Sequence, residues 1–206
     1  MKKIICYGDS NTLGYNPKDG SRYDENICWC GVLQKNLGCD YNVINEGMCD
    51  RTGFVNNPKG FLFSAQKHFP KFIAKSENVD ILILWLGTND FQFQYNLSVG
   101  AIEKGLEKLI NLAQAKARHI IIIPPVILNE KILEGNFNFQ FDETSIVKSR
   151  KIGRIYRQIA SANNCLYFDI NKITKPSDTD GLHYDEDSHK LIADKLTYFI
   201  QNNFTL

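Results

Sequence analysis

Six consecutive apolar residues, Ile81–Leu86, are the feature that most restricts how this chain can fold. A strand with one face in water alternates apolar and polar residues. An unbroken apolar run therefore predicts a strand covered on both faces, as at the centre of a parallel sheet. Four further segments have the length and composition of strands, and segments with helical spacing of apolar residues lie between them. The predicted strands are Lys3–Tyr7, Tyr41–Asn45, Asp80–Leu86, His119–Ile123 and Cys165–Phe168.

The predicted helices alternate with these strands along the chain. Such alternation is typical of an α/β fold in which right-handed crossovers place helices on both faces of a parallel sheet. We therefore expect a three-layer α/β fold with a five-stranded parallel sheet. Because no linker or repeat divides residues 1–206, we expect a single domain. The helices are predicted at Trp29–Leu37, Phe61–Lys75, Ser98–Lys116, Ser145–Ala162 and Asp185–Asn202.

Composition and charge argue against several classes of function. The 24 Lys and Arg residues nearly balance the 23 Asp and Glu residues, and this net charge of +1 predicts neither a nucleic-acid partner nor binding to an anionic membrane. No apolar run approaches the roughly 20 residues of a membrane span, and the first run is too short for a signal peptide, which predicts a cytoplasmic protein. The six cysteines are scattered without a CxxC pair, so we expect free thiols rather than disulfides or a zinc site.

Residues able to carry out chemistry follow four of the predicted strands. Ser10 follows the first strand, Asp50 the second and Asn89 the third, while Asp180 and His183 come after the fifth. Ligands of open parallel sheets bind beyond the carboxyl ends of the strands, which meet at one edge. The sequence therefore predicts that these side chains line one site.

The residue types at this edge are those of nucleophilic catalysis. Serine becomes a nucleophile when a base removes its proton and a third group holds that base in one tautomer. His183 is the predicted base for Ser10, and Asp180 is the predicted group that orients the histidine. The intermediate also needs hydrogen-bond donors for its oxyanion. The predicted donors are the backbone N–H groups of Ser10 and Asp50 and the side-chain amide of Asn89.

Four sequence blocks resemble those of the GDSL/SGNH hydrolase superfamily. They are Gly8–Thr12, Asn45–Thr52, Gly87–Asp90 and Asp180–His183, and they span nearly the whole chain in the order of that superfamily. The chain is most similar to the small arylesterase and acyltransferase-like members, through Trp29–Leu33, Gly47–Thr52 and Leu86–Asp90. The resemblance implies a flavodoxin-like five-stranded sheet, hydrolysis of esters or thioesters, and neither a metal nor another cofactor.

One position departs from the pattern of the superfamily. The second block usually supplies a glycine N–H to the oxyanion hole, and by spacing that position is Asp50 here. The backbone donor is retained, but a carboxylate beside a developing anion is repulsive unless it points away or pairs with a cation. We expect the Asp50 side chain to turn out of the pocket. Arg51 is the neighbouring cation in sequence.

Two groups of alternating aromatic residues leave two interpretations open. Their period-two spacing predicts short extended segments, which form either the core or a subunit interface, or else a wall that accepts an acyl or aryl group. Phe93 and Phe139 are the predicted substrate-binding residues of that wall, and the insertion at Asn129–Thr144 is able to build a homo-oligomer interface. The two groups are Phe91, Phe93 and Tyr95, and Phe137, Phe139 and Phe141.

These features predict a serine esterase that hydrolyses short-chain aryl, alkyl or acetyl carboxylic esters through an acyl-enzyme on Ser10. An acyltransferase or a thioesterase would use the same triad. A catalytically silent binding protein is the alternative from another class, because a fold does not determine a function. The sequence leaves the physiological ester open, since acetylated carbohydrate, aryl or alkyl ester, lysophospholipid and thioester fit the same residues. It also leaves the oligomeric state open.

Overall fold

Five strands run parallel in one sheet in the computed structural model, which describes residues 1–204. They are β1 (Lys2–Gly8), β2 (Tyr41–Gly47), β3 (Val79–Trp85), β4 (Ala117–Ile123) and β5 (Leu166–Tyr167). The order across the sheet is β2-β1-β3-β4-β5, which makes β3 the middle strand. Every β3 residue except Asp80 is buried, and the expectation of a doubly covered central strand is confirmed. The last strand is shorter than predicted, since it pairs with β4 only at Leu166 and Tyr167.

Helices cover both faces of this sheet. They are α1 (Ser10–Leu13), α2 (Trp29–Leu37), α3 (Ala65–Lys75), α4 (Val99–Gln114), α5 (Glu143–Ala162) and α6 (Glu186–Asn203). Helix α2 packs against α6 on one face, while α3, α4 and α5 pack in series on the other. The three-layer α/β arrangement predicted from the alternation of elements is therefore confirmed.

Three of the longer helices begin at a side chain that caps their amino end. The side chains of Ser98, Asp142 and Asp185 each accept a hydrogen bond from the backbone N–H three residues later. Such caps satisfy amides that have no acceptor within the helix. The Asp142 cap explains why α5 begins at Glu143, ahead of the predicted start at Ser145.

The helix predicted over Phe61–Lys75 is wrong at its start, because the structure divides it into a 3-10 turn at Phe61–Phe63 and helix α3. Pairing with Thr52 causes the break. The Thr52 N–H donates to the Phe63 carbonyl (2.9 Å), and the Thr52 carbonyl accepts from the Ala65 N–H (2.8 Å). Long-range pairing of this kind leaves no periodic signal in a sequence, so the pattern of apolar residues did not reveal it.

All six cysteines are free in the structure, and Cys6, Cys28 and Cys30 are buried. Within residues 1–204, no helix is both long enough and apolar enough to cross a membrane. The same part of the chain holds no group of three or more His, Cys, Asp or Glu side chains arranged to bind a metal ion.

Candidate active site

The serine predicted as nucleophile lies on a short turn between β1 and α1. Asp9 caps this turn, since its Oδ1 accepts a hydrogen bond from the Asn11 N–H (3.0 Å). The turn requires glycine at position 8, because a Cβ there would lie 1.9 Å from Thr12 Oγ1. The N–H of Ser10 belongs to the first turn of α1, where backbone amides have no acceptor within the helix. The turn therefore presents both a hydroxyl and a backbone donor at the edge of the sheet.

A tight turn holds Asp180 and His183 together. Asp180 Oδ1 accepts the backbone N–H groups of Leu182 and His183, both at 2.9 Å. Gly181 makes the turn possible, since its φ of 72° is left-handed and a Cβ would lie 2.5 Å from the backbone nitrogen of Ile132. One carboxylate oxygen is thus used to fix the turn, and the other remains for the imidazole.

Ser10, His183 and Asp180 form a continuous hydrogen-bonded chain. His183 Nε2 lies 2.9 Å from Ser10 Oγ, and His183 Nδ1 lies 2.6 Å from Asp180 Oδ2. His183 is only 2% exposed and Ser10 is 7% exposed, so little bulk water reaches these hydrogen-bonded side chains. When Asp180 accepts a hydrogen bond from Nδ1–H, Nε2 is left as an acceptor for the Ser10 proton. The structure brings together Ser10, which follows the first strand, with Asp180 and His183, which come after the fifth.

The Asn89 side chain is anchored against the loop that follows β2. Its Nδ2 donates to the Arg51 carbonyl (3.1 Å), and its Oδ1 accepts from Gln92 Nε2 (3.3 Å). A primary amide has two N–H groups. One of them holds the side chain in place, and the other is left for a further acceptor.

Asp50 has a backbone conformation that favours glycine. Its φ is 58°, in the left-handed region where Asp and Asn are the best tolerated of the other residues. This agrees with the resemblance, which assigns a glycine to the same position. The Asp50 carboxylate pairs with Lys59 (Oδ2 to Nζ 2.5 Å), and its side chain is 31% exposed. The cation beside it is therefore Lys59 and not its sequence neighbour Arg51.

Arg51 is buried and joins three separate segments. Its Nη1 donates to the carbonyls of Gly8 (2.9 Å) and Glu46 (2.5 Å), and its Nε donates to the carbonyl of Leu62 (3.2 Å). Burial lowers the pKa of the guanidinium because the charge is removed from water. The side chain ties together the carboxyl ends of β1 and β2, the two strands that lead to the predicted nucleophile and to a predicted oxyanion donor. The sequence analysis did not predict that this arginine is buried.

Two buried carboxyl groups support the loops of the site. Asp90 accepts the N–H groups of Gly53 (2.5 Å) and Phe54 (2.7 Å), which ties the loop after β3 to the loop after β2. Burial raises the pKa of Asp90 to about 6 and the pKa of Asp9 to about 7. Asp9 fixes its own turn, whereas Asp90 fixes a loop that is distant in sequence.

The pKa of Asp9 predicts how stability depends on pH. Burial raises this pKa from 3.8 to about 7, so the folded protein retains a proton that the unfolded chain releases. The stabilising contribution is complete below roughly pH 4 and is lost as the pH rises through about 7.

Asp9→Asn keeps the capping oxygen but does not ionise. Its Tm, measured in thermal melts, is expected to fall less than the wild-type Tm between roughly pH 4 and 7. The exposed Asp178→Asn control should follow wild type, and parallel curves for Asp9→Asn would contradict the assignment.

The prediction that the aromatic segments are extended is wrong. Residues 93–95 form a 3-10 turn, and residues 137–140 form a turn closed by the Gln140 N–H, which donates to the Phe137 carbonyl (2.9 Å). The two turns also meet, since the Phe93 N–H donates to the Gln140 carbonyl (3.0 Å). Hydrogen bonds within and between the turns satisfy backbone groups that an extended segment would have to pair with a strand.

The alternating aromatic residues divide between core and surface. Phe91 and Phe141 are buried in the core, whereas Phe93 is 44% exposed and Phe139 is 65% exposed. The core interpretation therefore holds for Phe91 and Phe141, and the wall interpretation for Phe93 and Phe139 stays a prediction. The exposed rings of Phe93 and Phe139 are available for contact with a ligand or with another protein surface.

Two other aromatic rings contact the imidazole of His183. The Tyr15 ring centroid lies 4.1 Å from the imidazole centroid, and the Phe137 centroid lies 5.4 Å from it. Sequence reasoning missed Tyr15 and did not select Phe137 from its aromatic group. The available signal for Tyr15 was its place directly after Gly14, a glycine able to turn the chain back over the end of α1.

Solved structures similar to this one include esterases. A carbohydrate acetylesterase family member from Sinorhizobium meliloti shares 26% identity with a TM-score of 0.90, over 98% of each chain. The native aryl esterase of M. smegmatis shares 25% identity with a TM-score of 0.88, over 99% of this chain and 100% of that one. A lipase/acylhydrolase from Enterococcus faecalis, at 20% identity and a TM-score of 0.71 over 98% and 96% of the two chains, supports the fold alone. No curated protein matches the chain.

The fold and the comparisons define a hydrolase of the SGNH type. The five-stranded parallel sheet has the architecture of these enzymes, and the profile of the GDSL-like lipase/acylhydrolase family matches residues 6–191. The chain belongs to the GDSL-like lipase/acylhydrolase family and is a carboxylic ester hydrolase. The resemblance, the fold class and the enzyme class predicted from the sequence are confirmed.

Proposed function

We propose that the protein is a serine esterase that hydrolyses short-chain aryl, alkyl or acetyl esters through an acyl-enzyme on Ser10. One observation carries this proposal, namely the hydrogen-bonded chain from Ser10 Oγ through the His183 imidazole to Asp180 Oδ2, with distances of 2.9 and 2.6 Å. A serine so placed has its base within reach, and the base has its orienting carboxylate.

Each side chain of the Ser10–His183–Asp180 triad has a defined part in the proposed reaction. Ser10 Oγ attacks the ester carbonyl while His183 Nε2 takes the hydroxyl proton, and Asp180 stabilises the resulting imidazolium. His183 then delivers that proton to the leaving alcohol as the ester C–O bond breaks. Water, activated in turn by His183, attacks the acyl-enzyme, releases the carboxylic acid and restores Ser10.

Three N–H groups hold the oxyanion in this mechanism. They are the backbone donors of Ser10 and Asp50 and the amide N–H of Asn89 that the Arg51 carbonyl does not use. A preorganised donor of this kind contributes about 10²- to 10³-fold in rate. The ion pair with Lys59 offsets the charge of the Asp50 carboxylate, which lowers its repulsion of the oxyanion.

The surrounding side chains support small apolar esters as substrates. The rings of Tyr15 and Phe137 flank His183. The exposed rings of Phe93 and Phe139 lie on two turns that are hydrogen-bonded to each other. We assign Phe93 and Phe139 to the wall that accepts the acyl or aryl group of the substrate. We expect the enzyme to prefer esters with short acyl chains. The names of the similar aryl esterase and carbohydrate acetylesterase support aryl and acetyl esters as the range of substrates.

Hydrolysis of p-nitrophenyl esters from acetate to decanoate tests the proposal. We expect wild type to turn over the short esters fastest, and Ser10→Ala to lower kcat by about 10⁴- to 10⁶-fold because no nucleophile remains. Ser161→Ala, an exposed serine near the end of α5, is the matched control and should retain the wild-type rate. Retained turnover in Ser10→Ala would refute the role of this serine, and an inactive wild type would favour the silent binding protein.

Acyl transfer to an alcohol is a second candidate, favoured by the apolar surroundings of His183. The rings of Tyr15 and Phe137 lie beside the imidazole that activates the deacylating nucleophile. Apolar surface at that position favours an alcohol over water. Adding an alcohol to the same assay separates the two reactions, because transfer yields a new ester in place of the free acid.

A further inference from the structure

The Tyr15 ring covers one side of the His183 imidazole. The ring centroids are 4.1 Å apart and the planes differ by 32°, which places the face of the phenol ring against the imidazole. Phe137 lies 5.4 Å from the imidazole at an angle of 59° and 6.4 Å from Tyr15. Of these two rings, Tyr15 thus makes the closer and more nearly parallel contact.

The backbone of the nucleophile turn holds Tyr15 in this place. Gly14 ends α1 with a left-handed φ of 93°, and the Tyr15 N–H then donates to the carbonyl of Ser10 (3.0 Å). On its other side, Tyr15 forms an antiparallel bridge with Arg22. The position of the ring is therefore coupled to that of the serine whose proton His183 would take.

The imidazole becomes a cation during the proposed reaction, in a place that water hardly reaches. His183 is 2% exposed, and its hydrogen-bonding partners are Asp180 at Nδ1 and Ser10 at Nε2. An aliphatic neighbour would exclude water without stabilising the charge. The face of an aromatic ring carries negative potential and attracts a cation at this distance.

The ionisable groups near Tyr15 and His183 are compatible with an interaction between the ring face and the imidazolium. Burial, with the nearby acidic groups Asp180, Cys49, Asp50 and Asp19, raises the pKa of the Tyr15 phenol, so the ring remains neutral near pH 7. Burial lowers the pKa of His189 to about 4, so that second imidazole is uncharged as well. The carboxylate of Asp180 and the face of Tyr15 are then the groups that favour the imidazolium.

We propose that Tyr15 is a positioning residue whose ring face stabilises the His183 imidazolium formed when Ser10 gives up its proton. The proposal rests on the proposed function, in which His183 is the general base. It adds a group that acts on the charge of the imidazole through the face of its ring. Any aromatic ring at position 15 would serve, and an aliphatic side chain of similar size would not.

The test compares Tyr15→Phe with Tyr15→Leu in the hydrolysis of p-nitrophenyl acetate across pH. We expect Tyr15→Phe to stay near the wild-type kcat, and Tyr15→Leu to lower kcat about 3- to 30-fold with little change in KM. Loss of the ring should also move the acid limb of the kcat/KM profile of Tyr15→Leu to lower pH, because the imidazolium is then less favoured. Urea unfolding of both variants shows whether each retains the stability of wild type.

A measurement without turnover separates this proposal from the proposed function. In NMR spectra, the ring protons of His183, assigned by their absence in His183→Asn, should titrate at lower pH in Tyr15→Leu than in Tyr15→Phe. An equal loss of kcat in both variants, an unchanged kcat in Tyr15→Leu, or identical titrations would overturn the role of the ring face. An inactive wild type with the expected difference in titration would count against the esterase and leave the role of Tyr15 standing.

Discussion

Replacing Asp180 by Asn is expected to lower kcat for ester hydrolysis by about 10⁴-fold. The Asn side chain keeps an oxygen that can accept the N–H groups of Leu182 and His183, so the turn should survive. At the Oδ2 position it places an NH₂ group opposite His183 Nδ1, which then has to be an acceptor. The proton of the neutral imidazole would lie on Nε2, which could no longer take the proton of Ser10. Steady-state kinetics with p-nitrophenyl acetate measure the loss.

Two further variants sharpen this prediction. Asp178→Asn changes an exposed carboxylate two residues away and should retain wild-type kcat. Residues that act as a unit are not additive. A double Asp180→Asn, His183→Ala variant should therefore be little slower than His183→Ala alone. A kcat for Asp180→Asn within tenfold of wild type would remove Asp180 from the triad.

Asn89→Ala is expected to lower kcat by about 10²- to 10³-fold and to change KM little. The amide N–H that remains after bonding to the Arg51 carbonyl meets negative charge only as the tetrahedral intermediate forms. Its loss therefore acts on the transition state and not on substrate binding. The same variant also leaves the Arg51 carbonyl without that donor, so its stability has to be measured by urea unfolding.

Asn171→Ala serves as the matched control for the structural part of this effect. Asn171 also supports a loop, through its Nδ2 to the Pro125 carbonyl (3.0 Å) and its Oδ1 from the Ile127 N–H (2.9 Å). The Asn171→Ala variant should have a lower free energy of unfolding than wild type but an unchanged kcat. If Asn89→Ala instead raised KM and left kcat intact, Asn89 would be a binding residue and the oxyanion assignment would fail.

The site residues were predictable where their signals are local. Ser10, Asn89 and the Asp180–His183 turn each follow directly from a strand or turn motif, and a parallel sheet brings the ends of its strands to one edge. The relation of His183 to Asp180 was also local, since a tight turn with Gly181 in the left-handed region joins them. These site residues could therefore be predicted without knowledge of the distances between the four sequence blocks.

The partners of several residues were not predictable in this way. Asp50 pairs with Lys59, nine residues away, and Arg51 is buried against the carbonyls of Gly8 and Glu46. The contact of Tyr15 with His183 joins residues from opposite ends of the chain. Such contacts depend on the angle at which one loop approaches another, and residue type and spacing carry no record of that angle.

The sequence by itself determined the fold class, the order of the elements and the residues proposed for catalysis. It did so because apolar periodicity and strand-end motifs are properties of neighbouring residues. Only the tertiary structure decided that the aromatic segments form turns, that a buried arginine ties β1 to β2, and that the imidazole lies against an aromatic face. Those features come from side chains packing across segments that are far apart in the chain, where the geometry of the whole fold decides which atoms meet.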